Sequence, residues 1–473
     1  MSDDAATVGW LDLLRPEWIP SLVVLLGGVL LYSMNVLLMA TVLPSIVEEV
    51  GGAALMSWAT TAYLATSIVA ASCTGLLAAA IGAGRAFCGG ALVFFVGTLI
   101  CAIATSMEAV IVGRFVQGLG CGLLSAMAYV LVRQVFPEPA WPRVFAALAA
   151  VWGVSVLVGP LIGGVFAYFD NWRGAFFAVA AVALMLGATA LKALPHRPRA
   201  ADQPLPPMPG LRVALLCLAI VVMSVAAIGQ TPLARGGLIL LTLALLVVML
   251  RLDRTAEAPL LPRDAFSLRT ATGVGLWVAL LVSFAFNPLS IYGPMFLQRL
   301  HGFDPLTAGY AIAAASMAWT VAAVVVAGFT GDWPNRTIVL GPVVMAGGLL
   351  GVALLMPYGP VIPLCVAISA VGLGIGSCWA FTAQRVMSHA RAGEEAVAAS
   401  SVPTIQQAGL ALGAAVSGLI ANAVGLSGGL EHGAVLRAAF WVPVAFVGVA
   451  VLAALMGLHL RILVRHAEAV GKA

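Results

Sequence analysis

Few side chains in this sequence can carry chemistry, so their placement is informative. The 473 residues include 23 Lys and Arg, 19 Asp and Glu and 6 His. Arg114, in "VGRFVQGLGCG", is the only basic residue well inside an apolar run. A central arginine costs about 2.5–3.5 kcal/mol on membrane-insertion scales, so it must face protein or water and hold a partner. One role for it is structural, capping backbone carbonyls of a broken neighbouring helix. The acids are the counterpoint. All of them can be placed in loops or at span ends, with Glu48, Glu49, Glu108, Asp170, Asp304 and Glu431 on the outer side and the others inside. A buried carboxylate is the usual proton carrier and the usual counter-charge for a cationic ligand. None is expected at mid-membrane, so a deep carboxylate relay is hard to build. The seven cysteines lie in apolar runs with no CxxC pair and read as small hydrophobes. The histidines are scattered, and neither metal-ligand spacing nor a nucleophile–base arrangement appears. An enzyme, a metal site and a bound cofactor are therefore not expected.

The elements that must position these groups follow from hydropathy. The chain is 62% hydrophobic and 9% charged, with a mean hydropathy of +1.07. A soluble domain cannot hide that much apolar surface, and about 20 apolar residues span a bilayer. The runs are continuous rather than alternating, which excludes an outer-membrane barrel. The first run lacks a cleavage site and is too long for a signal sequence, so it is expected to be retained. A net charge of +4 from scattered residues gives no footprint for nucleic acid. Spans are expected at 20–47, 55–81, 86–106, 109–133, 143–168 and 174–194, then at 211–229 and 236–250. Six more follow at 267–296, 306–328, 337–356, 361–387, 396–425 and 435–460. The fold class is thus an all-α polytopic membrane protein of fourteen spans, grouped six, two and six. The expected domains are a cytoplasmic segment 1–18, a six-helix bundle 19–194, a linker with two extra helices 195–263, a second bundle 264–462 and a tail 463–473. "HRPRAADQPLPPMPG" is the one convincing linker. With the N-terminus inside, only Arg173, Arg235, Arg299 and Arg437 among the loop cations fall outside, as the positive-inside rule requires. Both termini are expected to be cytoplasmic.

An internal repeat supports two similar halves. Gly118–Gly122 returns as Gly372–Gly376, and Gly159–Gly164 has a loose echo in Gly413–Gly418 at the same offset. The loop Gly75–Ala79 is matched by Gly328–Asp332, one residue short of that offset. Duplicated bundles of this kind place a substrate near the midplane and alternate access by rocking. Candidates to line an uncharged, amphipathic cavity are Asn35, Tyr63, Gln117, Trp152, Asn287, Tyr292, Trp319, Trp379 and Gln407. For any single aromatic, ordinary helix packing or an interface belt is the commoner explanation. In "FNPLSIYGP", Pro288 and Pro294 are expected to interrupt the helix and expose carbonyls. "GVSVLVGPLIGG" groups Gly153, Gly159, Gly163 and Gly164 around Pro160, as either a plain packing helix or a bendable one.

These motifs together resemble the major facilitator superfamily, and within it the fourteen-helix drug:proton antiporter branch. "MNVLLMATVLPSIVEEVGG" and "SWATTAYLATSIVAASCTG" resemble its first two helices, and "VGRFVQGLGCG", "WGVSVLVGPLIGG" and "NWRGAFF" three further signatures in order. The six-two-six grouping and "PLLPRDAF" before the second bundle also fit. The resemblance implies a monomeric, multi-pass exporter of amphipathic small molecules in the inner or plasma membrane, coupled to protons. It implies proton coupling or helix cross-linking for Arg114 and a gating role for the glycine- and proline-rich helix. It also implies an Asp in the first helix, where Asn35 stands here. The branch's cytoplasmic loop signature carries an Asp and several cations that latch neighbouring helices. In "TGLLAAAIGAGR" alanines Ala79, Ala80 and Ala83 hold those places and Arg85 alone survives, whereas the second copy keeps Asp332 and Arg336. The first-half latch is therefore expected to be weak, favouring a cytoplasm-open resting state. An uncoupled facilitator or lipid-like substrate flippase suits the missing acids. A transport-dead sensor or scaffold is the alternative of another class.

Overall fold

The computed structural model of the protein describes residues 11–137, 140–194, 209–229 and 231–470. Among them are fourteen helices long and apolar enough to cross a membrane, and no strand. Most of the expected linker at 196–210 lies outside the described residues. Helices dominate for the reason the composition gives: in hydrocarbon every backbone N–H and C=O must be satisfied within its own segment.

Two compact units emerge. The first comprises Met1–Val50 and Thr66–Met208. Its helices are α1 (Ile19–Val50), α3 (Ala83–Ala102), α4 (Met107–Val135), α5 (Trp141–Tyr168) and α6 (Trp172–Ala193), with α2 (Met56–Ile81) joining it from Thr66 onward. The second comprises Gly51–Ala65 and Pro209–Ala473. It holds α7 (Gly210–Ile228), α8 (Pro232–Arg254), α9 (Ala271–His301), α10 (Pro305–Val326), α11 (Trp333–Leu355), α12 (Val361–Ser388), α13 (Glu395–Ala423) and α14 (His432–Val470).

Packing inside each unit follows the repeat, because lipid supplies no hydrophobic drive and close backbone approach through small residues substitutes for it. In the first unit, a methyl on Gly122 of α4 would stand 2.3 Å from the Ser67 carbonyl oxygen of α2. In the second, a methyl on Gly376 of α12 would stand 2.3 Å from the Trp319 oxygen of α10. Likewise Gly159 of α5 seats against Leu37 and Met34 of α1, while Gly413 of α13 seats against Phe284 of α9. Gly163 continues the α5 seam toward Leu38 and Thr41, Gly164 and Pro160 are buried, and Gly153 has no neighbour at all within 4 Å of a would-be methyl. The α1–α5 seam also joins Ser33 and Ser155 hydroxyl to hydroxyl.

Pro288 and Pro294 do not interrupt their helix, contrary to the sequence-based expectation: α9 runs unbroken from Ala271 to His301. Neighbouring helices can satisfy carbonyls that a proline frees, so a membrane helix tolerates what a soluble one would not. The extra pair also differs from a simple lipid-facing hairpin. Helix α8 is largely uncovered, with Leu233 and Leu240 exposed, but α7 is docked. Asn422 of α13 donates its Nδ2 to the carbonyls of Ala227 (3.0 Å) and Ala54 (2.8 Å), and Trp58 Nε1 donates to Ser224 O at 3.1 Å. A buried ion pair closes the hairpin. Arg212 Nη1 donates to Asp253 Oδ1 at 2.7 Å, and Asp253 also accepts from the backbone N–H groups of Leu260 and Leu261.

Candidate functional site

Arg114 is the eighth residue of α4 and is 1% exposed. It donates from Nη1 to Asn35 Oδ1 on α1 and to Gln117 Oε1 at 2.9 Å. Gln117 in turn donates from Nε2 to Thr98 Oγ1 of α3 at 2.9 Å, and the Cys101 thiol points at Gln117 Oε1 from 3.7 Å. Spacing explains the arrangement. Arg114 and Gln117 are three residues apart and so share one face of α4. Gly97 and Gly113 bring α3 and α4 close enough for Thr98 and Cys101 to join, since a methyl on Gly97 would stand 2.4 Å from Gln117 N. The result is a desolvated cation held by the neutral amides of Asn35 and Gln117. An arginine only donates, so Asn35 must present its oxygen to it. That leaves Asn35 Nδ2, fully buried, with no hydrogen-bond partner among the described residues. Thr98 and Cys101 were not singled out from the sequence; the only hint was their place opposite the glycine-rich face of α4.

The other candidates divide between the units. In the first, Trp152 packs edge-on against Tyr32 at 5.9 Å and is 46% exposed. In the second, Trp319 and Trp379 lie 6.2 Å apart, and Phe286 packs edge-on to Trp319 at 5.3 Å, so α9, α10 and α12 build one aromatic cluster. Tyr292 is buried and stacks on Phe296, Tyr63 is fully buried, and Gln407 is half-buried on α13. Asn287 is buried and donates to the Leu410 carbonyl of α13 at 2.6 Å, a helix-to-helix clasp.

Two charge clusters sit at helix ends. Asp332, just before α11, accepts from Arg336 (3.1 Å), Arg461 (2.6 Å) and Arg465 (2.7 Å), the last two from the end of α14. Partial burial acts to raise the Asp332 carboxyl, but the three guanidinium bonds outweigh it and hold it well below the usual carboxylate range. Arg461 and Arg465 complete the latch of which Asp332 and Arg336 were expected. Their spacing of four on one helix was the available signal. In the first unit Ala79 offers nothing equivalent, and Arg85 is exposed with no hydrogen bond or ion pair among the described residues. That unit instead ties the end of α1 to the start of α6. Glu49 accepts from Arg173 at 2.5 Å and from Trp172 Nε1 at 2.7 Å, and Arg173 reaches the Ala104 carbonyl at 2.8 Å.

A duplicated set of apolar spans, glycine seams between them and one cation sunk among amides define a polytopic membrane transporter. The chain belongs to the major facilitator superfamily, whose model matches residues 24–414. A probable multidrug-efflux transporter of Mycobacterium tuberculosis is 32% identical over 89% of this chain and 92% of its own. Multidrug resistance protein 3 of Bacillus subtilis is 23% identical over 84% of this chain and 78% of its own. Among solved structures, a POT family transporter in complex with 5-aminolevulinic acid superposes with a TM-score of 0.68 at 14% identity, over 96% of this chain and 97% of that one. That likeness is one of fold.

Proposed function

We propose that this transporter exports amphipathic small molecules from the cytoplasm by alternating access, in exchange for protons, with both termini on the cytoplasmic side of the inner or plasma membrane. The observation that carries the reading is the buried Arg114–Asn35–Gln117 network, set in a chain whose relative of Mycobacterium tuberculosis is named for probable multidrug efflux. A desolvated charge at depth is costly and is kept where a pathway uses it. The close seat of α5 on α1 supports the gating role given to Gly159, Pro160 and Gly163, since the glycine face of α5 offers α1 no side chains to interlock with.

One observation favours a second reading, transport without protons. Every Asp and Glu within a described helix lies near one of its ends, so no mid-helix carboxylate is available as a carrier. Reconstitution of the full chain in liposomes with an imposed pH gradient separates the two. Antiport gives substrate-triggered proton movement, and a facilitator moves substrate at a rate that ignores the gradient. Absence of any amphiphile flux would remove both and leave the scaffold.

A further inference from the structure

We propose that the second unit carries a site for an anionic phospholipid, at the end where α13 stops and α8 and α14 begin. The inference is independent of what the protein exports. Two apolar grooves lie side by side there. One, of about 340 Å³, is lined by Ile239 of α8, Leu419 and Ile420 of α13 and Trp441 of α14, with Arg235 as its one charged residue. The other, of about 370 Å³, is lined by Leu354 of α11, Tyr358, and Phe440 and Trp441 of α14, with Arg437 as its one charged residue. Trp441, 51% exposed, is the wall they share.

The arginines stand where a head group would, and the apolar residues where acyl chains would. Arg235 is the fourth residue of α8 and Arg437 the sixth of α14. Ile239 and Trp441 each follow four residues later, on the same helix face and about 6 Å deeper. Each arginine folds back over the end of the helix before it. Arg235 Nε donates to Gly229 O at 2.8 Å, and Arg437 Nε donates to Val424 O at 2.8 Å. Gly425, left-handed with a φ of 115°, makes room for the second, since a methyl there would stand 2.8 Å from Arg437 Nη2. Val424, whose carbonyl takes Arg437, also lines the groove that holds Arg235, so both guanidiniums flank the end of α13.

Capping accounts for one N–H of each arginine. A guanidinium carries five donors, and neither of these has an ion pair among the described residues. Two cations without a counter-charge, beside two apolar troughs, fit a molecule that is anionic at one end and has two apolar arms. A phosphodiester accepts from two guanidiniums at once, and its acyl chains fill the grooves on either side of Trp441. A zwitterionic lipid brings its own cation to the arginines, and a soluble phosphate leaves the grooves empty. The bound lipid would pin the largely uncovered α8 to α13 and α14.

The test reads Trp441 fluorescence of the full chain reconstituted in mixtures of phosphatidylglycerol and phosphatidylcholine, one of the two carrying brominated, quenching acyl chains. Subtracting Trp441→Phe removes the signal of the other tryptophans among the 11. In the wild type, phosphatidylglycerol is expected to occupy the site about tenfold more tightly than phosphatidylcholine. In the double variant Arg235→Gln with Arg437→Gln that ratio should fall to about one, with quenching by phosphatidylcholine retained. Salt at about 1 M should lower the wild-type ratio as well, which keeps the test alive if the double variant does not fold. Equal quenching by the two lipids in the wild type would overturn the inference, as would a preference that survives loss of both arginines or survives the salt. Reversal of phosphatidylglycerol quenching by soluble glycerol phosphate would assign the arginines to a free phosphate and overturn the lipid.

Discussion

Removing Gln117 tests how the interior cation is held. Gln117→Ala takes one acceptor from a buried guanidinium, while the Thr98 hydroxyl keeps its bond to the Phe94 carbonyl at 2.7 Å, and the loss costs about 1–3 kcal/mol. Thermal unfolding in detergent should show a lower Tm for Gln117→Ala, and a smaller loss for Thr98→Val, where only neutral hydrogen bonds to Gln117 and Phe94 go. A Gln117→Ala protein as stable as wild type would mean the amide holds nothing. That Arg114 needed a partner was legible from its place in an apolar run. Which groups supply it was not. Asn35 is far away in sequence, and the Thr98 and Cys101 contacts depend on how closely two glycine-lined backbones approach. The partner of Asn287 was hidden for a related reason. A polar residue just before a proline looks like cavity lining, and its amide donates to the Leu410 carbonyl.

At the scale of elements, the glycines are not equivalent. A methyl on Gly372 of α12 would stand 1.7 Å from the Ala315 carbonyl oxygen of α10, so Gly372→Ala must force the two helices apart. Overpacking of this sort costs about 1–3 kcal/mol, and the variant should show lower Tm and yield. Gly153→Ala meets nothing within 4 Å and should be neutral or stabilising by about 0.5–1 kcal/mol. The extra hairpin makes a sharper prediction. Arg212→Ala strands the buried Asp253 carboxylate, and breaking a buried pair costs about 3–5 kcal/mol. Limited proteolysis between Thr255 and Arg263 should accelerate in that variant, since Asp253 also anchors the Leu260 and Leu261 amides. The count and grouping of the spans could be read from hydropathy because a bilayer permits so few solutions. The docking of α7 on α13 could not, since α7 and α8 are equally apolar and differ only in which neighbour offers Asn422.

For the whole molecule, the Asp332 cluster predicts a pH response and the alanine at position 79 predicts a resting balance, each open to measurement. Asp332 has a folded-state carboxyl depressed below its unfolded one, so its stabilisation is present above the unfolded range, near about 4, and is lost as pH falls below it. The difference in Tm between wild type and Asp332→Asn should therefore be constant at neutral pH and vanish in acid. Restoring the first-unit acid with Ala79→Asp should shift spin-label distances between the α2–α3 and α10–α11 loops toward the latched population, by about tenfold for each 1.4 kcal/mol gained. The measurement that bears most directly on the interior cation is liposome flux of a fluorescent amphiphile by the full chain, under an imposed pH gradient, beside folded Arg114→Gln. The expected result is flux by the wild type that is lost in Arg114→Gln. Flux undiminished without the guanidinium would contradict the account.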